Sequence, residues 1–231
     1  MPKDTPRFEG FADASCKFWK QLAKNNDKAW YDAHKAEHKA GWEEPMRALL
    51  AELKDKLDAS YPDCDLGEPK VFRIHRDVRF SKDKTPYKTS VSGCLYVQSG
   101  PSKVTETPAP LYLQIGTQTM AGAGLYMMAP AQLQKYRAAV LDDTKGKELA
   151  TLVSKLTKAG YTIESGDVLK KVPKGVDPDH PRAELLKRKG LVMMFPAFDT
   201  KLIASRDLVK ILVDHGKKVA PLVRFLTYAV L

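Results

Sequence analysis

Leu111-Tyr112-Leu113-Gln114-Ile115 stands near the middle of the chain. It alternates aliphatic residues with a tyrosine and a glutamine, which tolerate partial exposure to solvent. A period of two is typical of a β-strand with one face in the core. Shorter alternating or apolar runs lie on both sides, and we predict strands for them at 72–75, 91–98, 122–128, 161–164 and 191–195. In the first of these, Phe72 and Ile74 are predicted to face the core, and Arg73 and His75 to project from the other face.

Helical spacing of apolar residues dominates the two ends of the chain. Pro45 predicts a break or kink near residues 41–44, and Pro221 predicts a division of the last helix. Helices therefore precede and follow the strands, without regular β-α-β alternation. We predict an α+β fold, with a largely antiparallel sheet packed on one face by N- and C-terminal helices. We expect residues 1–231 to form a single domain.

The positive charge of the chain is concentrated in two stretches. The formal net charge is +10. Residues 70–88 hold seven Lys/Arg and two Asp, a net +5, and residues 170–189 hold seven Lys/Arg and three Asp/Glu, a net +4. Such localised charge attracts phosphate, carboxylate or a nucleic-acid backbone. The alternative interpretation is two solvated loops that keep the protein soluble.

The first stretch contains the densest set of chemically capable side chains, from Arg73 to Thr89. Arginine presents a planar fork that holds carboxylate or phosphate through two hydrogen bonds. The predicted ligand-binding residues in this stretch are the three arginines with two lysines as added point charges, namely Arg73, Arg76, Arg79, Lys84 and Lys88. The competing interpretation is an ion-paired loop in which the two aspartates bond to arginines and Tyr87 is packed.

Asp77 and Tyr87 are the candidate catalytic residues. Asp77 is suited to orient an arginine, to bind a metal or to act as a base, and nearby lysines are expected to lower the pKa of the Tyr87 phenol. The stretch lacks an obvious nucleophile–base pair, so the sequence leaves open whether the protein is an enzyme. If it is one, phosphate-ester or acyl-phosphate chemistry suits the site.

Two residues outside this stretch complete the predicted site. The glycines at 122 and 124 lack the third glycine of a dinucleotide fingerprint, so we expect no nucleotide cofactor, but they bring Tyr126 and its hydroxyl towards the arginines. The second basic stretch, which includes Lys174, is predicted to fold over the first and close an anion site.

The remaining motifs are weak. His34-Lys35-Ala36-Glu37-His38 matches an inverted zincin pattern but has no supporting downstream ligand motif, so we expect no metal, although the sequence does not exclude one at these residues. The odd count of three cysteines without a Cys-x-x-Cys spacing argues against a disulfide framework and a thiolate zinc site, and so predicts a reducing, cytoplasmic compartment. A polar N-terminus and the lack of an apolar run of about 18 residues predict neither a signal peptide nor a membrane span.

Arg73-x-x-Arg76-Asp77-x-Arg79-Phe80-x-x-x-Lys84-x-x-Tyr87 resembles the signature of a bacterial family of about this length that is classed as conserved and of unknown function. The resemblance extends to residues 18–31, to Gly124-Leu125-Tyr126 and to the loop from Pro173 to Lys187. It implies a single domain and no particular activity.

The leading hypothesis is a cationic pocket for a small anionic ligand, with a phosphorylated compound as the expected class. The alternative is a nucleic-acid-binding protein that uses residues 70–88 and 170–189 as one surface. A third hypothesis is a scaffold whose basic loops grip an acidic protein partner. The sequence does not determine the oligomeric state.

Overall fold

The computed structural model describes residues 7–98 and 107–231. The helices are α1 (Lys17–Lys24), α2 (Lys28–His38), α3 (Glu44–Leu57), α4 (Pro130–Leu141), α5 (Asp143–Lys158), α6 (Ala183–Leu186) and α7 (Asp207–Val230). The strands are β1 (Lys70–Val71), β2 (Ser90–Leu95), β3 (Ala109–Gly116), β4 (Met120–Leu125), β5 (Thr162–Glu164) and β6 (Leu191–Met194). They form one sheet in the order β1-β2-β3-β4-β6-β5 with antiparallel neighbours throughout. The predicted α+β class is confirmed.

Local sequence signals set the start of the first two helices. The Asp13 carboxylate accepts hydrogen bonds from the backbone N–H groups of Ser15 and Lys17, and Cys16 adopts a left-handed conformation with φ 54°, so α1 begins only at Lys17. The Asp27 side chain accepts a hydrogen bond from the backbone N–H of Trp30 and caps α2, as the Asn-Asn-Asp run suggests.

Two prolines affect the helices less than their positions predict. A π-helical turn, Lys39–Glu43, joins α2 to α3 without a break, and Pro45 lies in the first turn of α3. In place of the predicted break or kink, the helix contains one wide, π-helical turn. Pro221 lies inside α7, which continues without interruption to Val230, so the predicted division of this helix is wrong. Leu222, Val223 and Leu226 are buried after the proline, and this packing offsets its cost.

One face of the sheet carries the main hydrophobic core. Helix α3 packs against β1 and β2, and α7 packs against β3 and β4. Fully buried residues of the strands, such as Leu113 and Met193, project towards these helices. At Gly93 a Cβ atom would overlap the side chain of Leu50, so glycine permits the close approach of α3 to the sheet.

The opposite face carries a smaller and separate apolar cluster of Cys94, Tyr96 and Ala109, with Phe72 and Tyr112 packed beside it. Phe72 and Ile74 therefore lie on different faces, since Ile74 belongs to the main core. The prediction that both face the core is wrong because β1 ends at Val71 and the chain bends at Ile74. Among the described residues, the main helix–sheet contacts are those of α3 and α7, which pack on the first face.

Candidate functional site

Residues 73–89 form an ordered excursion between β1 and β2, which we call the basic hairpin loop. Backbone hydrogen bonds join its two sides, from Arg76 N to Pro86 O at 2.8 Å and from Lys88 N to Ile74 O at 2.8 Å. The amide of Asn26 donates to Tyr87 O at 2.9 Å and accepts from Tyr87 N at 3.0 Å. The turn between α1 and α2 therefore holds the loop through a single side chain.

Arg76 is used inside the loop. Its guanidinium forms an ion pair with Asp83 and donates hydrogen bonds to the Thr85 hydroxyl and, at 3.3 Å, to the Thr85 carbonyl. Another of its N–H groups lies 3.4 Å from the Ser81 hydroxyl. A guanidinium with four such contacts fixes the loop and has little capacity left for a ligand.

Arg79 and Lys84 are engaged in the same way. Arg79 makes a two-point contact with Asp77, with Nε–Oδ1 2.9 Å and Nη2–Oδ2 2.6 Å. The Lys84 ammonium donates to Val78 O at 2.9 Å. The ion-paired alternative drawn from the sequence thus describes Arg76, Arg79 and Lys84 better than an arginine cluster does.

The candidate catalytic groups have pKa values displaced away from neutrality. Hydrogen bonds from Arg79 lower the pKa of the Asp77 carboxyl below its usual range, so the carboxylate stays ionised and is a weaker base than an ordinary aspartate. Burial, and then the negative charges of Asp32 and Asp27, raise the pKa of Tyr87. The predicted lowering of this pKa is wrong because the ring packs against Tyr31, with ring centroids 4.4 Å apart, on the acidic side of the loop.

Three basic side chains near the start of the loop differ from the rest, and we call Lys70, Arg73 and Lys88 the cationic rim. The ammonium groups of Lys70 and Lys88 lie 5.8 Å and 5.7 Å from the centroid of the Phe72 ring. Burial and then the positive charge of Arg73 lower the pKa of Lys88. Within the described residues, none of the three has a carboxylate at ion-pair distance. Arg73 also lies close enough to Asp77 for its positive charge to lower the pKa of that carboxyl, so the rim is a positively charged group without a direct ion pair.

Phe72, the ring that the ammonium groups of Lys70 and Lys88 approach, lines a cavity of about 690 Å³ on the face of the sheet opposite the main core, which we call the trough; the rim residues themselves lie outside its lining. The register places Lys70 directly opposite Cys94, so the two side chains project from this same face. The floor contains Gly122 and Gly124, and the walls are aromatic and methionine side chains. The residues that shape it most are Phe72, Tyr96, Tyr112, Met120, Gly122, Gly124, Val192 and Met194.

The far end of the trough lies over β4, β5 and β6. Tyr126 and Met127 line it there, with 64% and 43% of their surfaces exposed. Glu164 is the acidic residue of the lining. Gly124 has φ +132°, and a Cβ atom there would overlap the Leu191 carbonyl, so only glycine keeps both this floor and the β4–β6 pairing. The trough thus has a cationic end and an apolar end.

Comparison with protein families finds that the family described as Conserved hypothetical protein (DUF2461) matches residues 14–225. The chain belongs to the DUF2461 family. Neither the curated proteins nor the solved structures gave a match. The resemblance to a conserved family of unknown function is confirmed at this level, while the proposed arginine signature remains a prediction. Along the described ranges, no helix of this DUF2461 chain is long and apolar enough to cross a bilayer.

The second basic stretch of this DUF2461 protein lies far from the first. It connects β5 to β6 at one edge of the sheet, whereas the basic hairpin loop lies beside β1 at the other edge. The loop also enters β2 at Ser90, opposite Gly116, while the second stretch enters β6 at Leu191, opposite Leu125. These are opposite ends of the strands, so the stretches occupy diagonal corners about 20 Å or more apart. The expectation that they close one anion site is wrong.

Several charges of the second stretch have structural partners. Arg182 is buried and donates to the carbonyls of Val140 at 2.7 Å and Leu141 at 3.2 Å, at the end of α4. Lys187 pairs with Glu184 at 2.6 Å, and Lys189 pairs with Asp167 at 2.5 Å. Lys174 is exposed in a turn beside Gly175 and does not line the trough.

The two histidines of the zincin-like pattern make their contacts within the N-terminal helices. His34 stacks on Trp30, and its Nδ1 lies 2.7 Å from Trp30 O. His38 is buried, with Nδ1 3.2 Å from the Tyr31 hydroxyl. In the part of the chain that the structure describes, no group of three or more His, Cys, Asp or Glu side chains is arranged to hold a metal ion.

Sequence reasoning selected Arg73, Lys88 and Tyr126, which lie at the rim or in the lining, but missed most of the trough. Lys70 lies just before the quoted motif, and Phe72 was assigned to the core. A usable signal was present, since Gly122 and Gly124 alternate along β4 and thereby remove side chains from one face of a strand.

Proposed function

We propose that this DUF2461 protein binds a small anionic ligand with an apolar body, which lies in the trough and places its anionic group at the cationic rim. The observation that carries the proposal is the pair of ammonium groups, Lys70 and Lys88, held over the one Phe72 ring at the end of a 690 Å³ cavity. Ligand sites are typically concave, mostly apolar and furnished with a few polar groups.

The energetics of the rim support this assignment. Lys88 is partly desolvated beside Arg73, and the lowered pKa of Lys88 shows that the folded protein raises the energy of this charge. An anion at the rim would relieve the repulsion between Lys88 and Arg73 and would also gain charge-assisted hydrogen bonds. A phosphate and a carboxylate both meet this requirement.

The test uses two dyes that differ in charge. Anilinonaphthalene sulfonate carries an anion on an apolar body, and N-phenyl-naphthylamine has a similar body without charge. We expect the wild-type protein to bind both dyes. Lys70→Ala and Lys88→Ala should each weaken binding of the sulfonate by about tenfold, because each removes one charge-assisted contact. The neutral dye should be unaffected.

Lys82→Ala is the matched control because it removes an exposed charge from the same loop without touching the rim. It should leave the affinity for both dyes unchanged. If Lys82→Ala and Lys88→Ala weaken binding of the sulfonate equally, the effect arises from net charge, and the cationic rim is not a specific binding site.

We infer a second candidate function, binding of single-stranded nucleic acid, from one observation at the tip of the basic hairpin loop. Phe80 is 96% exposed there, with the Arg79 guanidinium 5.9 Å from its ring centroid. An exposed ring in a basic loop is suited to stack on a base, an interaction worth about 1–3 kcal/mol. Because the two basic stretches lie at diagonal corners of the sheet, this nucleic-acid-binding surface would include only the first stretch.

Fluorescence anisotropy with labelled oligouridine and oligothymidine tests this second function. Binding should weaken steeply with salt, and Phe80→Ala should weaken it by about tenfold, while Lys174→Ala in the second stretch should have little effect. Binding that is the same for wild type and Phe80→Ala would contradict the stacking role.

A further inference from the structure

The trough is elongated. Its lining begins at Phe72 beside β1 and ends at Glu164 on β5, so it crosses the whole width of the sheet. Five spacings between six strands, at ~4.8 Å each, give a length of about 24 Å. A lining of this length suits an extended chain better than a compact ligand such as a nucleoside.

Among the described residues of the walls, several polar groups already have protein partners. The Tyr112 hydroxyl donates to Gln114 Oε1 at 3.0 Å, and the Cys94 thiol lies 3.4 Å from the Leu95 carbonyl. A sugar or a base that entered this space would lose hydrogen bonds to water with few protein partners in exchange. Hydrocarbon loses nothing of this kind, since its burial is favourable in proportion to area.

Methionines line the part of the trough over β4 and β6, at Met120, Met127 and Met194. Their unbranched thioether side chains adapt to irregular or variable apolar partners. Such a wall fits a flexible chain of more than one length.

The charges give the trough a direction. The cationic rim lies at the β1 end, and Glu164 lies at the opposite end, where it repels an anion. Beside Glu164, Tyr126 and Met127 continue the apolar wall out to solvent. An amphiphile would therefore lie with its anionic head over Phe72 and its tail towards Tyr126.

We propose that the ligand is an elongated single-chain amphiphile, an acyl or isoprenoid chain that ends in one carboxylate or phosphate. This inference rests on the proposed function, because it assigns a ligand class to the same trough. The shared chemistry is a long apolar tail with a terminal anion, and the choice between the two head groups is made by the experiment.

The experiment displaces anilinonaphthalene sulfonate from the wild-type protein with a series of amphiphiles below their micellar concentrations. Octanoate, dodecanoate and hexadecanoate vary the chain, dodecyl phosphate varies the head, and dodecanol removes the charge. Each buried methylene is worth roughly a fourfold gain in affinity, so dodecanoate should bind at least about tenfold more tightly than octanoate. Dodecanol should bind more weakly than dodecanoate, and the better of dodecanoate and dodecyl phosphate identifies the head group.

Two variants test the direction of the chain. Lys88→Ala should weaken every chain length by a similar factor, because each head group contacts the rim. Tyr126→Ala, which changes a largely exposed side chain at the far end, should weaken hexadecanoate several-fold and leave octanoate unchanged. A change of the same size for both chains would refute this orientation.

Compact anions separate the failure of this inference from the failure of the proposed function. If adenosine monophosphate or inorganic phosphate displaces the dye at lower concentration than dodecanoate, or if chain length has no effect, the ligand class is wrong although an anion site remains. If the dye does not depend on Lys70 and Lys88, both proposals fall.

Discussion

Asn26 ties the basic hairpin loop to the N-terminal helices by hydrogen bonds, beside the ring contact between Tyr87 and Tyr31. Its amide makes two hydrogen bonds to the backbone of Tyr87, at 2.9 Å and 3.0 Å. We expect Asn26→Ala to lower the free energy of unfolding by about 2 kcal/mol, because both bonds are lost and two partly buried backbone groups lose their partner. Urea denaturation measures the change.

Asn25 provides the comparison at the neighbouring position. Its side chain donates only to Gln21 O within its own helix, at 3.0 Å, and it is exposed. Asn25→Ala should therefore change the free energy of unfolding by less than about 0.5 kcal/mol. If the two variants lose the same stability, Asn26 does not anchor the loop.

Asp83 gives the loop a defined response to acid. Hydrogen bonds from the Thr85 backbone, from Arg76 and from the Thr85 hydroxyl lower the pKa of Asp83 to about 2, from an ordinary value of 3.8. Because the folded-state pKa is depressed, the contribution of this carboxylate to the stability of the folded state is complete above pH 4. It is lost as the pH falls towards 2. The carboxyl resonance of Asp83 in an NMR titration should have its midpoint near 2 and should move upwards in Thr85→Val. A midpoint near 3.8 in the wild-type protein would contradict the structure.

The partners of single side chains mark the limit of what the sequence reveals at this scale. It identified Asp27 as a helix cap because capping is a local interaction. It could not decide whether Arg76 binds a ligand or Asp83, because both outcomes use the same residues at the same spacing. The prediction for the Tyr87 pKa was wrong because the ring turns towards Tyr31, and that contact depends on the packing of α2.

At the scale of elements, Arg182 joins the second basic stretch to the end of α4. The buried guanidinium donates to Val140 O at 2.7 Å, Leu141 O at 3.2 Å and Asp142 O at 3.4 Å. We expect Arg182→Ala to destabilise the protein by about 3 kcal/mol, since a helix C-terminus loses charge-assisted bonds and buried carbonyls lose their donor. Thermal and urea denaturation test this.

Lys174→Ala, in the same stretch, is the control for Arg182→Ala. Lys174 is exposed and has no hydrogen bond or ion pair among the described residues, so the change should be within about 0.5 kcal/mol of zero. A loss of similar size in both variants would show that net charge, rather than the cap on α4, stabilises this region.

Elements were predicted well where periodicity is strong and poorly where tertiary packing overrides a local signal. The alternation of Leu111, Leu113 and Ile115 correctly located β3. Pro221 signalled a break, but α7 continues through it because the residues beyond it are buried. The face assignment of Phe72 failed because a strand of two residues imposes no alternation on the residues that follow it.

At the scale of the whole molecule, the order of segments was enough to predict an α+β fold, whereas the site depended on strand order. The trough takes residues from β2, β3, β4, β5 and β6, and the sequence does not show that β6 inserts between β4 and β5. The same ordering places the two basic stretches at diagonal corners, although their charges alone suggested a shared site.

The buried cluster predicts how the molecule unfolds. It runs from Phe8 to Val230 and includes residues of the helices and of the strands. We infer that the chain is a single domain and expect one cooperative transition, with equal calorimetric and van't Hoff enthalpies. Scanning calorimetry and far-ultraviolet circular dichroism check this, and two resolved transitions would indicate separate domains.

The placement of the tryptophans has an optical consequence. Trp19, Trp30 and Trp42 all belong to the N-terminal helical layer, and none lines the trough. The intrinsic emission of the protein should therefore shift to longer wavelength when that layer opens, yet change little when the trough fills. Loss of structure can thus be read from the wavelength of indole emission in the presence of a non-absorbing ligand, because occupation of the trough alone should leave that wavelength unchanged.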